Sequence, residues 1–169
     1  MLKITANGNF KGEKTQKFTV NKAKIDVKPK SVIKVYGDSK PKYELESGSD
    51  LISADELAKF AKTAAFASEG ASETASVDSN GYEISVQLSQ SETKNLILNV
   101  NGTGTLTVVK APLEVKVNDV SRIYGEANPE LSVSYSGFVN GENESVLEGS
   151  LVLGYDESIN AEASVGLYN

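Results

Sequence analysis

One stretch of this chain occurs twice. Lys22-Ala23-Lys24-Ile25-Asp26-Val27-Lys28 returns 88 residues later as Lys110-Ala111-Pro112-Leu113-Glu114-Val115-Lys116. Val35-Tyr36-Gly37-Asp38 returns as Ile123-Tyr124-Gly125-Glu126, and Pro41 falls on Pro129. Between 22–45 and 110–133 there is no gap, and eight of the 24 positions are identical. A fixed offset held over that length marks an internal repeat, which restricts the chain to architectures that use one unit more than once. The repeat divides the 169 residues unequally. Residues 22–109 form one full period, expected to be a complete module. Residues 1–21 match only the closing strands of a preceding repeat, through Phe18-Thr19-Val20 against Leu106-Thr107-Val108. Residues 110–169 match a beginning that stops early. The expectation is a piece of a longer tandem array, in which spare strands at 1–21 of one molecule could complete 110–169 of another by strand exchange.

Apolar residues alternate with polar ones over Ile84, Val86 and Leu88; Leu96, Leu98 and Val100; Leu106 and Val108; Leu113, Val115 and Val117; Leu131, Val133 and Tyr135; and Leu151, Leu153 and Tyr155. A period of two places each set on one face of a half-buried strand. One stretch has the helical period instead. Ser53-Ala54-Asp55-Glu56 has the capping-box form, and Leu57, Phe60, Ala61 and Ala64 follow at helical spacing, predicting a helix over 54–66. A shorter helical counterpart is expected over 140–147, with Asn140 as its N-cap. Successive periods are joined through only Lys110-Ala111-Pro112. So short a linker requires the first and last strands of a module to point the same way, and predicts a rod of modules. The fold class expected is mostly β with one short helix per module, as β-grasp-like modules in tandem. An immunoglobulin-like sandwich is the alternative, and the helix counts against it.

The chain has no His, no Cys and no Trp. It therefore has no imidazole relay, thiolate nucleophile, zinc ribbon or disulfide framework. A net charge of −6 argues against nucleic acid as a partner. The charge is uneven: residues 1–44 hold eleven lysines against four acids, and the remainder six basic residues against nineteen acids. A solvated lysine-rich strand face accounts for the basic end. No apolar run approaches the ~18 residues that would insert in a membrane.

Tyr124-Gly125-Glu126-Ala127-Asn128-Pro129, followed by Leu131-Ser132-Val133-Ser134-Tyr135-Ser136-Gly137-Phe138-Val139-Asn140-Gly141, resembles the MBG domain of the YGX type. Asn101-Gly102-Thr103-Gly104-Thr105-Leu106-Thr107-Val108-Val109-Lys110-Ala111 resembles that family's closing strand and linker. Tyr36-Gly37-Asp38-Ser39-Lys40-Pro41 repeats the block. Gly8-Asn9-Phe10-Lys11-Gly12 with Phe18-Thr19-Val20 resembles the end of a preceding MBG or immunoglobulin-like repeat. The resemblance implies repeated, mostly-β modules of large bacterial surface proteins and adhesins, lying outside the cell, with no catalytic residues and no cofactor. It implies the role of a stalk, spacer or adhesion scaffold whose partners are neighbouring repeats. A module that itself binds host or cell-wall glycan is the alternative.

Tyr36, Gly37 and Pro41, with Tyr124, Gly125 and Pro129, are read as a structural motif: a glycine in a positive-φ turn after a strand, with the tyrosine over the next proline. Recurrence in both periods favours a folding role over a ligand patch. Asp78-Ser79-Asn80-Gly81 has oxygen ligands and a glycine but lacks the distal glutamate of a calcium loop, and reads as a tight turn. The acid pairs Asp55 with Glu56, Glu142 with Glu144, and Asp156 with Glu157 lack the sugar-sized cleft a glycosidase requires and read as solvated faces.

Overall fold

The computed structural model describes residues 2–5, 8 and 12–168. Eleven strands and one α-helix are assigned among them: β1 (Leu2–Thr5), β2 (Glu13–Gln16), β3 (Ala23–Pro29), β4 (Val32–Val35), β5 (Leu45–Glu46), α1 (Ala54–Thr63), β6 (Ala65–Ala67), β7 (Asp78–Gln87), β8 (Leu96–Val100), β9 (Gly104–Val109), β10 (Glu114–Val117) and β11 (Val133–Ser136). Among the described residues the protein is mostly β, with a single α-helix and several sheets. The sheets are β1-β2, β5-β3-β8, β4-β9-β7-β6 and β10-β11. Two compact units, neither contiguous in sequence, make up the chain: 1–32, 42–69 and 82–106 in the first, and 33–41, 70–81 and 107–169 in the second.

The first unit is built around β3. Ile25, Val27 and Pro29 are buried while Lys24, Asp26 and Lys28 are exposed, the alternation a one-sided strand requires. β8 runs parallel to β3, setting Ile25 opposite Leu98 and Val27 opposite Val100. On the other side β5 pairs antiparallel, Lys28 with Glu46 and Pro29 with Leu45. Helix α1 covers this face: Leu57 is buried against Ile25, Val27, Leu45, Ile52 and Leu98, with Phe60 and Ala61 at the margin. Burial of a leucine of this kind contributes about 1.5–3 kcal/mol. The helix starts at a complete capping box, Glu56 N–H donating to Ser53 Oγ (3.3 Å) and Ser53 N–H to Glu56 Oε2 (3.2 Å). A second cluster holds Tyr43, Ile84 and Leu106 with Val32, Phe66 and Tyr82 around them. The Tyr43 and Phe66 rings stack there at 5.4 Å, and burial pushes the Tyr43 phenol above its ordinary pKa.

β4 lies beside β9. The hydrogen bonds Thr105 N–H to Ser31 Oγ and Tyr36 N–H to Val109 O rise together along both segments, so they run parallel. β1 and β2 form an antiparallel pair with Leu2 opposite Gln16.

In the second unit β10 pairs with β11, Glu114 opposite Ser136 through Val117 opposite Val133. This register is the β3–β5 register moved on by 88 residues: Lys28–Glu46 becomes Lys116–Ser134 and Pro29–Leu45 becomes Val117–Val133. The next bond repeats as well, Lys30 N–H to Glu44 O and Asn118 N–H to Ser132 O, both at 2.9 Å.

Four local expectations are corrected. The helix ends at Thr63, and 65–67 form β6, because Ala65–Ala67 pair with Ser85–Gln87 and that ladder outweighs the helical preference of alanine. The helix expected over 140–147 is a single 3-10 turn at Glu144–Val146, capped by Asn143 rather than Asn140. Its apolar stripe is missing: the positions of Leu57, Phe60 and Ala61 are taken by Ser145, Glu148 and Gly149. Leu151, Leu153 and Tyr155 form no strand. Their counterparts include β6, which exists by pairing with β7, and no strand among the described residues pairs with 151–155. Phe18-Thr19-Val20 also lies outside any strand, with Phe18 and Val20 exposed. Asn9, Phe10 and Lys11, which the resemblance at the N-terminus draws on, lie outside the described residues.

Candidate functional site

Tyr36 and Gly37 follow directly on β4. Asp38 N–H donates to Val35 O (3.0 Å) and Gly37 has φ of 90°, a turn with glycine at its third position that a side chain would strain. The Asp38 carboxylate accepts from Val35 N–H at 3.3 Å, closing the turn. Each contact is rebuilt in the second period. Glu126 N–H reaches Ile123 O (3.1 Å), Gly125 has φ of 88°, and the Glu126 carboxylate accepts from Ile123 N–H at 3.2 Å.

A distant segment clamps each turn. Gly37 N–H donates to Glu73 O and Gly125 N–H to Ala161 O, both at 3.1 Å and again 88 residues apart. Lys34 Nζ donates to the Ser72 carbonyl, and Arg122 does the same to the Asn160 carbonyl. The clamp's own turn recurs too, Ala75 N–H to Ser72 O and Ala163 N–H to Asn160 O. Lys34 is buried, 3 % exposed, and also donates to Asp38 O (3.2 Å). Its charge is met by carbonyl oxygens, the pairing a buried cation needs. Ala75-Ser76-Val77 recurs as Ala163-Ser164-Val165 just after the clamp, but Ser72 and Glu73 themselves are replaced by Asn160 and Ala161 and take part only through backbone oxygens, so sequence did not single them out.

The two turns differ in what covers them. Tyr36 Oη donates to Glu142 Oε1 at 2.6 Å. A Cβ at Gly37 would lie 2.6 Å from Val139 Cβ, so the valine packs directly on the glycine. Val139 and Glu142 belong to one turn, closed by Glu142 N–H to Val139 O (3.0 Å), with φ of 55° at Asn140 and 74° at Gly141. Two consecutive positive φ values are the preference of Asn-Gly. That explains why Asn140 is a turn residue and not a cap; its amide donates to Glu73 O at 3.2 Å. Tyr124 is 61 % exposed, and a Cβ at Gly125 would meet nothing within 4 Å. Pro41 and Pro129 are half-buried, and Pro129 O accepts from Tyr155 Oη at 2.8 Å.

The acidic candidates are occupied locally. Glu56 serves the helix cap, whose donors hold its carboxyl below the usual value. Asp156 accepts from Ser158 Oγ and N–H, which lowers it likewise. Asp78-Ser79-Asn80-Gly81, expected as a tight turn, is instead the start of β7, where Asp78 Oδ1 accepts from Asn80 N–H. Among the described residues no group of three or more His, Cys, Asp or Glu side chains could hold a metal ion. In the first unit a cleft of 410 Å³ is lined by Asp26, Val27, Lys28, Glu46, Ser47, Gly48 and Asn101. Asn99 and Asn101 donate to the Asp26 carboxylate at 2.7 and 2.8 Å and hold it below the ordinary carboxylate pKa. Lys28 pairs with Glu46 at 3.2 Å, and no aromatic ring lines the cleft. Asn99 and Asn101 share a face by their spacing of two, but only the parallel β3–β8 register brings them to Asp26.

Residues 113–169 match the MBG domain, YGX type. The match spans about a third of the chain and includes the turn at Tyr124-Gly125 and its clamp at Asn160–Ala161. No curated protein and no solved structure matches the chain. No helix among the described residues is long and apolar enough to cross a membrane.

Proposed function

We propose that this chain is a non-catalytic repeat portion of a secreted bacterial cell-surface protein. In this reading 22–109 is a complete MBG-like module, 110–169 begins a second, and 1–21 belongs to a preceding repeat. The fold proposed for each module is β-grasp-like, with a parallel first and last strand. The module acts as a stalk, spacer or adhesion scaffold outside the cell. Its partners are neighbouring repeats of the same polypeptide, and it takes no cofactor, nucleic acid or membrane.

One observation carries this reading: the Tyr-Gly turn and the backbone bonds of its clamp are built twice, 88 residues apart. A site evolved for one ligand has no need of a copy, whereas a stacked array reuses its folding residues. The family match over 113–169 supports the surface-protein context.

The test is antibody labelling of intact cells that make the parent polypeptide. Labelling without permeabilisation is expected; labelling only after lysis overturns the location. A glycan array on this chain decides between spacer and binder. Selective, saturable binding that the polar cleft residues control would replace the spacer reading with direct carbohydrate recognition.

A further inference from the structure

The exposed turn in the second period has a covered twin. Around Tyr36-Gly37 the covering group is the Val139–Glu142 turn: valine on the glycine, the glutamate carboxylate on the tyrosine hydroxyl, and the Asn140 amide on Glu73 O. Every backbone feature that receives this turn is reproduced at Tyr124-Gly125, from the φ of the glycine to the carbonyl of Ala161 that replaces that of Glu73. Only the cover is missing: Tyr124 is 61 % exposed and the space over Gly125 is open to 4 Å.

We propose that Tyr124-Gly125 is a docking surface for the Val-Asn-Gly-Glu turn of a following module of the same kind. Repetition of this contact makes a lock between successive modules, independent of the covalent linker. The valine fits because glycine leaves no Cβ, and the glutamate carboxylate accepts a charge-assisted hydrogen bond from the tyrosine hydroxyl. The carbonyl at Ala161 waits for the asparagine amide. The occupant must carry that turn, because the matching positions of the first period are Leu51-Ile52-Ser53-Ala54, which lead into α1 and have neither Asn-Gly nor an acid. The lock is therefore directional: the Tyr-Gly turn belongs to the earlier module and the Asn-Gly turn to the later one.

This inference rests on the repeat reading, and the experiment separates the two. The chain is extended by appending residues 82–169 after Asn169, which keeps the 88-residue register and supplies a second Val139–Glu142 turn one period on. Hydrogen exchange at the β10 amides reports whether the second module is completed. Nitration by tetranitromethane, mapped by mass, reports on Tyr124. Expected are slower exchange in β10 and nitration of Tyr124 slowed about tenfold, the factor that one charge-assisted hydrogen bond supplies. Glu142→Gln in the appended copy alone should return most of the reactivity. Protected β10 amides with unchanged Tyr124 reactivity overturn the lock and leave the repeat reading standing.

Unprotected β10 amides count against the repeat reading, and the lock is then decided on the 169-residue chain. A backbone-cyclised peptide of residues 137–144 is titrated into it and followed by amide chemical shifts. Shifts at Tyr124, Gly125 and Glu126 support the docking; shifts only at Tyr36 and Gly37, or none, overturn it.

Discussion

β3 and β10 descend from the same sequence pattern, and they live in different surroundings. Val27 is 1 % exposed and Val115, its counterpart, 49 %. Both strands have the same antiparallel partner in the same register, β5 and β11. What β3 has in addition is β8 on its other edge and α1 over its face. A strand's inherited pattern thus sets its pairing preference and its inward face, but the burial comes from elements supplied elsewhere. The turns that follow teach the converse. Tyr36-Gly37 and Tyr124-Gly125 share the bonds within the turn and the bond to the clamp, although only one is covered and only Tyr36 N–H also reaches Val109 O, so the turn is held by its own local bonds and its clamp.

The largest expected effect tests burial. Val27→Ala should cost about 2–3 kcal/mol, while Val115→Ala should stay within about 0.5 kcal/mol, read from urea denaturation. Equal losses would mean β10 is covered as β3 is. Next come the glycines. Gly125→Ala puts a side chain at positive φ and should cost about 1–2 kcal/mol; Gly37→Ala pays that and also the collision with Val139, about 1–3 kcal/mol more. If the two variants are equally destabilised, the Val139 contact is not made in solution. Ser53→Ala removes the capping box of α1 and should cost about 1 kcal/mol, with a loss of helical circular dichroism. The same change has no counterpart in the second period, where Gly141 takes that position.

The smallest effect is a pH dependence at Asp26 in the first unit. The Asn99 and Asn101 amides lower the folded pKa of Asp26 below its unfolded value. A lowered carboxyl contributes stability above the unfolded pKa, about 3.9, and that contribution is lost as pH falls through the folded value. The urea midpoint should therefore fall on acidification below about pH 4, and Asp26→Asn should flatten that limb. An unchanged acid limb in the variant would show that Asp26 is not held by the two amides.

Much of the first period was legible beforehand. The capping box and the helical stripe placed α1, and strict alternation placed β7, β8 and β9. The misreadings share one cause. Leu151, Leu153 and Tyr155 alternate as a strand should, yet a strand needs a ladder partner that no local pattern provides. Residues 65–67 show the opposite case, alanines drawn from helix into sheet by β7. At the turn, Tyr36, Gly37, Tyr124 and Gly125 stood out by recurrence. Their clamp did not, because the Glu73 and Ala161 carbonyls are backbone groups that any residue supplies.

The sequence alone determined the period, the turns that need glycine, and which strand faces are apolar, because these follow from steric limits and side-chain alternation within a few residues. Only the tertiary structure decided which of two equivalent strands is buried, which of two equivalent turns is covered, and that Glu142 answers Tyr36 across 106 residues. Those outcomes depend on contacts between distant segments, and their free energy comes from desolvation that no local pattern encodes.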